Sequence, residues 1–152
     1  MPKNKLNKPL YPPKNHQNWA KLKSNIHNSI TKRNPYREGE IYWFYFGNNI
    51  GVEEDGKHEL YNRPAIIIRG FSDALIWVIP LSRTKRNGEY YFTFTQHTPK
   101  HGCKTSKAIL SQMRPFDTSR IGGKLVGWVD ESTLDKIKIK VAELLLPIKS
   151  RS

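Results

Sequence analysis

The sequence predicts a mainly β fold with α, an α+β domain built as a small, strongly curved antiparallel barrel with a C-terminal helix and an N-terminal helical extension. Three observations carry that expectation. Short β-branched and aromatic runs recur through the middle of the chain, tight-turn residues separate them, and only the two ends show apolar residues at helical spacing. At 152 residues the chain is the size of one domain with a self-sufficient core. Three parts are expected: a basic tail with an amphipathic helix over residues 1–37, the barrel over 38–147, and a short basic tail over 148–152.

The first 37 residues hold nine Lys and Arg and no acid. Pro2, Pro9, Pro12 and Pro13 make their beginning an extended tail. Over residues 17–31, Trp19, Leu22, Ile26 and Ile30 form one apolar stripe, so a helix is expected there, docked on the barrel or on a partner. The arm as a whole reads either as a solvated basic segment or as a nucleic-acid contact. Residues 41–46 and 65–68 are apolar at nearly every position, which suits strands covered on both faces. Between them runs a long loop with Gly51 and Gly56 that carries Glu53, Glu54, Asp55, Lys57, His58 and Glu59 and delivers Arg63, beside Pro64, to the mouth of the second strand.

Ser72-Asp73 predicts a hairpin between residues 65–71 and 74–80, and Asn87-Gly88 a turn into residues 89–96, with Tyr90, Phe92 and Phe94 on one face. Residues 97–105 read as a polar loop. Its His97, His101 and Cys103 lack a fourth ligand, so they read as solvated side chains rather than a metal site. A fifth strand is expected over 106–112, a capped turn over 117–120, and a last strand over 124–129 after Gly122-Gly123. Residues 130–146 predict a helix with Ser132 and Asp135 as its capping box, a stripe of Leu134, Ile137, Val141 and Leu144, and Pro147 just beyond it.

Charge narrows the class of partner. There are 26 Lys and Arg against 13 Asp and Glu, a formal charge of +13, and such a balance favours polyanions through counterion release. Cys103 is the only cysteine, which excludes an internal disulfide and fits a reducing cytoplasm. No apolar run approaches the roughly 20 residues that span a bilayer, and the basic amino terminus lacks the apolar segment of a signal peptide. A soluble cytoplasmic protein is expected.

Taken on residue chemistry alone, Arg63 is a guanidinium whose backbone is fixed by the following proline, able to grip two phosphate oxygens or to rest in a salt bridge with Glu53 or Glu54. Ser82 ends a strand, and its hydroxyl either donates to a bound group or only closes the strand. His58 is either a general acid or base or an ordinary loop histidine.

Gly39-Glu40-Ile41-Tyr42-Trp43, the loop from Gly51 to Gly56, Arg63-Pro64-Ala65-Ile66-Ile67-Ile68, Ile79-Pro80-Leu81-Ser82 and the segment from Ala108 to Asp117 resemble, in that order, the MazF/PemK family of toxin endoribonucleases. The resemblance runs from about residue 37 to residue 146. It implies an SH3-like barrel of the CcdB and MazF kind, and a metal-independent, sequence-selective endoribonuclease that cuts single-stranded mRNA by attack of a ribose 2′-hydroxyl on the adjacent phosphate. It also implies a homodimer silenced by an antitoxin with an acidic disordered tail, and needs neither metal nor cofactor. Arg63 matches the catalytic arginine, Ser82 stands where threonine is usual, and Glu53 matches the loop glutamate. Gln112, Arg114 and Asp117 match positions in the second signature strand, and Arg83, Lys85 and Arg86 are the expected basic lining of the RNA groove. Two departures stand out. Glu54 replaces a common glutamine, and Ile109 and Ser111 occupy positions where some members place a catalytic arginine and aspartate. His58, in a longer loop, has no counterpart in the shorter members. Two rivals stay open: a non-catalytic nucleic-acid-binding barrel, and a poison directed at a protein, as the gyrase toxin CcdB is.

Overall fold

The computed structural model describes residues 8–146. The start of the expected tail, Pro147 and the short basic end over 148–152 lie outside the described residues. In chain order the elements are α1 (His16–Asn28), β1 (Glu40–Tyr45), β2 (Asn62–Gly70), β3 (Leu75–Ser82), β4 (Tyr91–Thr98), β5 (Gly102–Ile109), β6 (Arg114–Asp117), β7 (Ile121–Trp128) and α2 (Glu131–Leu145), with 3-10 turns at Leu110–Gln112 and Thr118–Arg120. Six strands close into an antiparallel barrel in the order β2-β1-β7-β4-β5-β3 and back to β2, and β6 lies along the first half of β3. Closure leaves few open strand edges, the usual hazard of a small β domain. The seam between β4 and β7 is thin, a single paired position at His97 and Trp128. There the His97 ring stacks on Trp128 and its Nε2 lies 3.0 Å from Asp130 Oδ1.

β2 explains the barrel. Its alternate residues serve two apolar clusters: Ile66 and Ile68 join Ile41, Ile79, Leu81 and Phe94 under α2, whereas Ala65 and Ile67 join Phe44, Phe46, Ile76, Val78 and Phe116 on the other side. A strand with a core on each face must be apolar throughout, as its sequence is. β1 departs from that expectation. Ile41, Phe44 and Phe46 are buried, but Trp43 is 37% exposed, so β1 has one covered face, switched by its irregular pairing with β7.

Residues 97–105 are not a loop. β4 and β5 run to within a few residues of each other and pair from Tyr91 with Ile109 to Thr98 with Gly102. The reversal is made by Gly102 at φ +66° and by the Thr98 hydroxyl, which donates to Gly102 O at 2.8 Å and accepts from His101 N at 3.1 Å. The expected fifth strand therefore starts earlier and ends at Ile109, since residues 110–112 coil into a 3-10 turn. β6 was hidden by Pro115, a residue tolerated because β6 pairs only with β3.

α2 docks through its predicted stripe, and α1 through Trp19, the one buried residue of its own. In α2, Leu134 and Ile137 are buried, Val141 and Leu144 pack beside them, and Lys138 reaches Glu38 at 2.9 Å. The Ser132 and Asp135 capping box does not form. The N-cap is Asp130, whose carboxylate is turned to His97 instead. In α1, Trp19 is 7% exposed, packed against Tyr61 at 5.8 Å and lying under the guanidinium of Arg120 at 5.9 Å. Gly47 makes this possible, because a Cβ there would stand 2.1 Å from the indole. The extension is thus a clasp on its own barrel. Its lower end is held by Arg33, which donates to Asp117 Oδ1 at 2.5 Å and to the Thr118 hydroxyl at 3.2 Å. No helix among the described residues is long and apolar enough to cross a membrane.

Candidate active site

The loop of residues 47–61 is folded on itself before it meets anything else. Asn49 N donates to Asp55 Oδ1 at 2.6 Å, Asn49 Nδ2 to Glu54 O at 2.7 Å, and Gly56 N to Gly47 O at 2.9 Å. Gln112 grips the same loop from below, donating to Val52 O and accepting from Glu54 N, both at 3.1 Å. The clasp holds it from outside: Lys14 Nζ reaches Asp55 Oδ2 and Asn49 O, each at 2.7 Å, and Asn48 Nδ2 donates to Asn15 O at 2.9 Å.

That framework presents Arg63. Its Nε donates to Asp55 O at 2.9 Å, one Nη to Leu81 O at 3.1 Å, and the other pairs with Glu54 Oε2 at 2.8 Å. With the side chain only 11% exposed, the guanidinium is fixed in position. Three of its five N–H groups are engaged, so two remain to meet a ligand. The carboxylate beside it is that of Glu54, not Glu53. Glu53 caps its own turn, accepting from Ile50 N at 2.9 Å.

Arg63 and Ser82 line one groove of about 500 Å³, with Arg83 beside them. The Ser82 hydroxyl donates to Thr84 Oγ1 at 3.2 Å and accepts from Thr84 N at 3.1 Å, a local turn that a bound oxygen can compete with by rotation of the hydroxyl. Lys57, His58, Lys104 and Lys107 complete the basic wall, and no Asp or Glu is among the lining residues. Lys85 and Arg86 stand on the exposed loop 83–90 next to the groove rather than in it. Lys107 steadies that loop, donating to Thr84 O at 3.2 Å, to Asn87 Oδ1 at 3.1 Å and to Arg86 O.

Gln112 and Arg114 do not line this groove. Gln112 is spent on the loop. Arg114 is packed over Phe116 at 4.9 Å and Phe46 at 5.8 Å, and burial lowers its pKa. Arg120 lies on the same Phe116 ring at 4.5 Å, and burial together with the charge of Arg114 pushes its pKa down to about 10. These two guanidiniums are structural cations stacked on aromatics. The lysines of β5 were not foreseen, since only the pairing of Ser82 with Lys107 across β3 and β5 brings them in. A second hollow, lined by Tyr90, Leu110, Met113 and the Leu144, Leu145 and Leu146 end of α2, is apolar and offers no acid, base or phosphate grip. Among the described residues no group of three or more His, Cys, Asp or Glu could hold a metal, and Cys103 lies 3.4 Å from His97 Nδ1 as a simple hydrogen-bonded pair.

Residues 37–145 match the model of the family described as PemK-like, MazF-like toxin of type II toxin-antitoxin system. No curated protein is significantly similar to the chain. Among solved structures, MazF (Form-I) from Deinococcus radiodurans is similar at a TM-score of 0.53 and 18% identity, covering 72% of this chain and 96% of that one. An endoribonuclease from a mycobacterial species matches at 0.53 and 17% identity, covering 76% and 97%. A mycobacterial endoribonuclease in complex with its cognate antitoxin matches at 0.51 and 18% identity, covering 75% and 99%. At such identities the structures speak for the fold.

Proposed function

The chain belongs to the PemK-like, MazF-like toxin family, and from that membership we propose that it is a metal-independent, sequence-selective endoribonuclease that cuts single-stranded mRNA, the toxin of a toxin–antitoxin pair. The observation that carries this reading is the fixed Arg63 guanidinium, with two N–H groups unengaged, in a groove that has cations and a serine hydroxyl but no carboxylate among its lining residues.

In the reaction a 2′-hydroxyl attacks the adjacent phosphorus, giving a 2′,3′-cyclic phosphate and a 5′-hydroxyl. Charge builds on the phosphoryl oxygens, and a donor already in place contributes about 3–4 kcal/mol because nothing has to reorganise. Arg63 is that donor. Ser82 Oγ holds the ribose or phosphate oxygen once it has let go of Thr84. The chain must be single-stranded, because in-line attack needs a splayed backbone.

The partners follow from the same groove. An antitoxin with an acidic, disordered tail would order along the cationic wall, where charge-assisted bonds offset its lost entropy, and two copies of the chain would form a symmetric dimer. Incubating the purified protein with RNA in EDTA and mapping the ends tests the reading. Cyclic-phosphate and 5′-hydroxyl ends are expected. Binding without cutting would support the non-catalytic barrel, and inhibition of gyrase without RNA binding would support the CcdB-like poison.

A further inference from the structure

The groove supplies cations for the transition state but leaves one step without an agent. A hydroxyl attacks well only if something takes its proton, and the carboxylate that the site brings to Arg63, that of Glu54, is committed to the guanidinium at 2.8 Å and is not among the residues lining the groove. A guanidinium has no lone pair to offer a proton, and a serine hydroxyl is a poor base. His58 is the one lining residue whose side-chain type titrates in that range.

His58 opens a tight turn. Lys57 N donates to Asn62 O at 2.8 Å, Asn62 N returns a bond to Lys57 O at 3.1 Å, and Tyr61 N donates to His58 O at 3.2 Å. The turn runs directly into Arg63, so imidazole and guanidinium stand on one short, cross-linked piece of backbone. His58 and Tyr61 of this turn both sit in the left-handed region, at φ +64° and +50°, which histidine enters more readily than most L residues. Among the described residues its imidazole nitrogens have no partner. Strain held by a closed turn, in a residue exposed to a cleft, is the pattern of a side chain positioned for use.

Resting on the endoribonuclease reading, we propose that His58 is the general base of the cleavage. In its neutral form the imidazole accepts the 2′-hydroxyl proton as the O2′–P bond forms and the P–O5′ bond breaks. The departing 5′-oxygen takes a proton from water, and the imidazolium returns one to solvent. The charged groups that share the groove with His58 are Lys57 from its own turn, Arg63 from β2, Arg83 beyond β3, and Lys104 and Lys107 from β5, and Glu59 follows it in the turn.

The test is single-turnover cleavage of an RNA oligonucleotide by the full chain in EDTA across pH 5–9. The wild type is expected to speed up as the imidazole loses its proton and then to level off. His58→Asn keeps a residue type that tolerates the left-handed backbone but removes the base. It should fold normally by circular dichroism, cut about 10²- to 10⁴-fold more slowly, and lose the rising limb. His58→Gly should regain rate as imidazole is added. His58→Asn cutting at the wild-type rate with its limb intact, while Arg63→Ala is inactive, would overturn the role of His58 and leave the nuclease reading standing. No cleavage by the wild type would overturn both.

Discussion

Residues 47–61 and residues 83–90 border the same groove and are held in opposite ways. The first loop carries acids, yet almost every one of them is committed: Glu53 to Ile50 N, Asp55 to Asn49 N and Lys14, Glu54 to Arg63. The second loop carries Arg83, Lys85 and Arg86, all exposed, and is steadied mainly by the ammonium of Lys107 beneath its carbonyls. A guanidinium that must meet a developing charge gains from rigidity, because no reorganisation is left to do at the moment of reaction. Cations that only gather a flexible polyanion gain nothing from it, since their attraction tolerates many geometries. Under the proposed endoribonuclease reading, the two loops divide the work into placing and gathering.

The strongest way to break this division is at Arg63. Arg63→Ala should fold and lose about 10²- to 10³-fold in cleavage rate, and Arg63→Lys should fail nearly as badly because an ammonium lacks the planar fork. Either folded variant cutting at full rate in an end-mapping assay would remove the placing loop from catalysis. Next comes Ser82→Ala, expected to cost about 10²-fold in rate, with Ser82→Thr keeping or raising activity. Equal rates for serine and alanine would leave the hydroxyl with only its turn around Thr84.

A milder blow should fall on the clasp. Trp19→Ala removes a buried indole and should lower stability by about 3–5 kcal/mol, read from urea unfolding. Hydrogen exchange over residues 47–61 should quicken in parallel, while residues 83–90 stay as they were. On the gathering side, neutralising Arg83, Lys85 and Arg86 together should leave the cutting step intact at saturating RNA. It should weaken binding and reduce the slope of log affinity against log salt by about 2 for a single strand. Binding of an acidic antitoxin tail should weaken with it. The smallest effect is expected in acid. Burial favours the neutral Asp117 carboxyl, but hydrogen bonds from Arg33 and Ser119 outweigh it and hold the group at about 2, below its ordinary value of 3.8. A carboxyl depressed on folding stabilises above its unfolded value and loses that contribution as pH falls from about 4 through 2. The lower anchor of the clasp should loosen in that window, and Arg33→Gln should flatten the dependence.

How far the sequence could be read follows from the range of the interactions. β2 was legible because a double-faced strand writes its burial into every residue, and α2 because its stripe is local. The tight hairpin of β4 and β5 was not, since polar residues on exposed strands look like a loop until their partners are known. Arg63 stood out through its neighbours Asn62 and Pro64, and a salt bridge to Glu53 or Glu54 was foreseen, but which of them would answer it depended on a turn closed by Ile50 and Asn49. Lys107 and Gln112 reach the loops only through pairings between distant strands, which no local pattern encodes. His58 could be noticed but not placed.

The close fit of Gly47 under Trp19 has a use beyond this chain. Glycine at that point of the barrel answers two demands at once, a backbone φ of +78° and an indole 2.1 Å from where a Cβ would stand. The family model begins at residue 37, after α1 has ended. In a chain that shares the barrel, a tryptophan in an upstream helix together with glycine just after the first strand is therefore the pattern to look for where the loop that follows is held from outside.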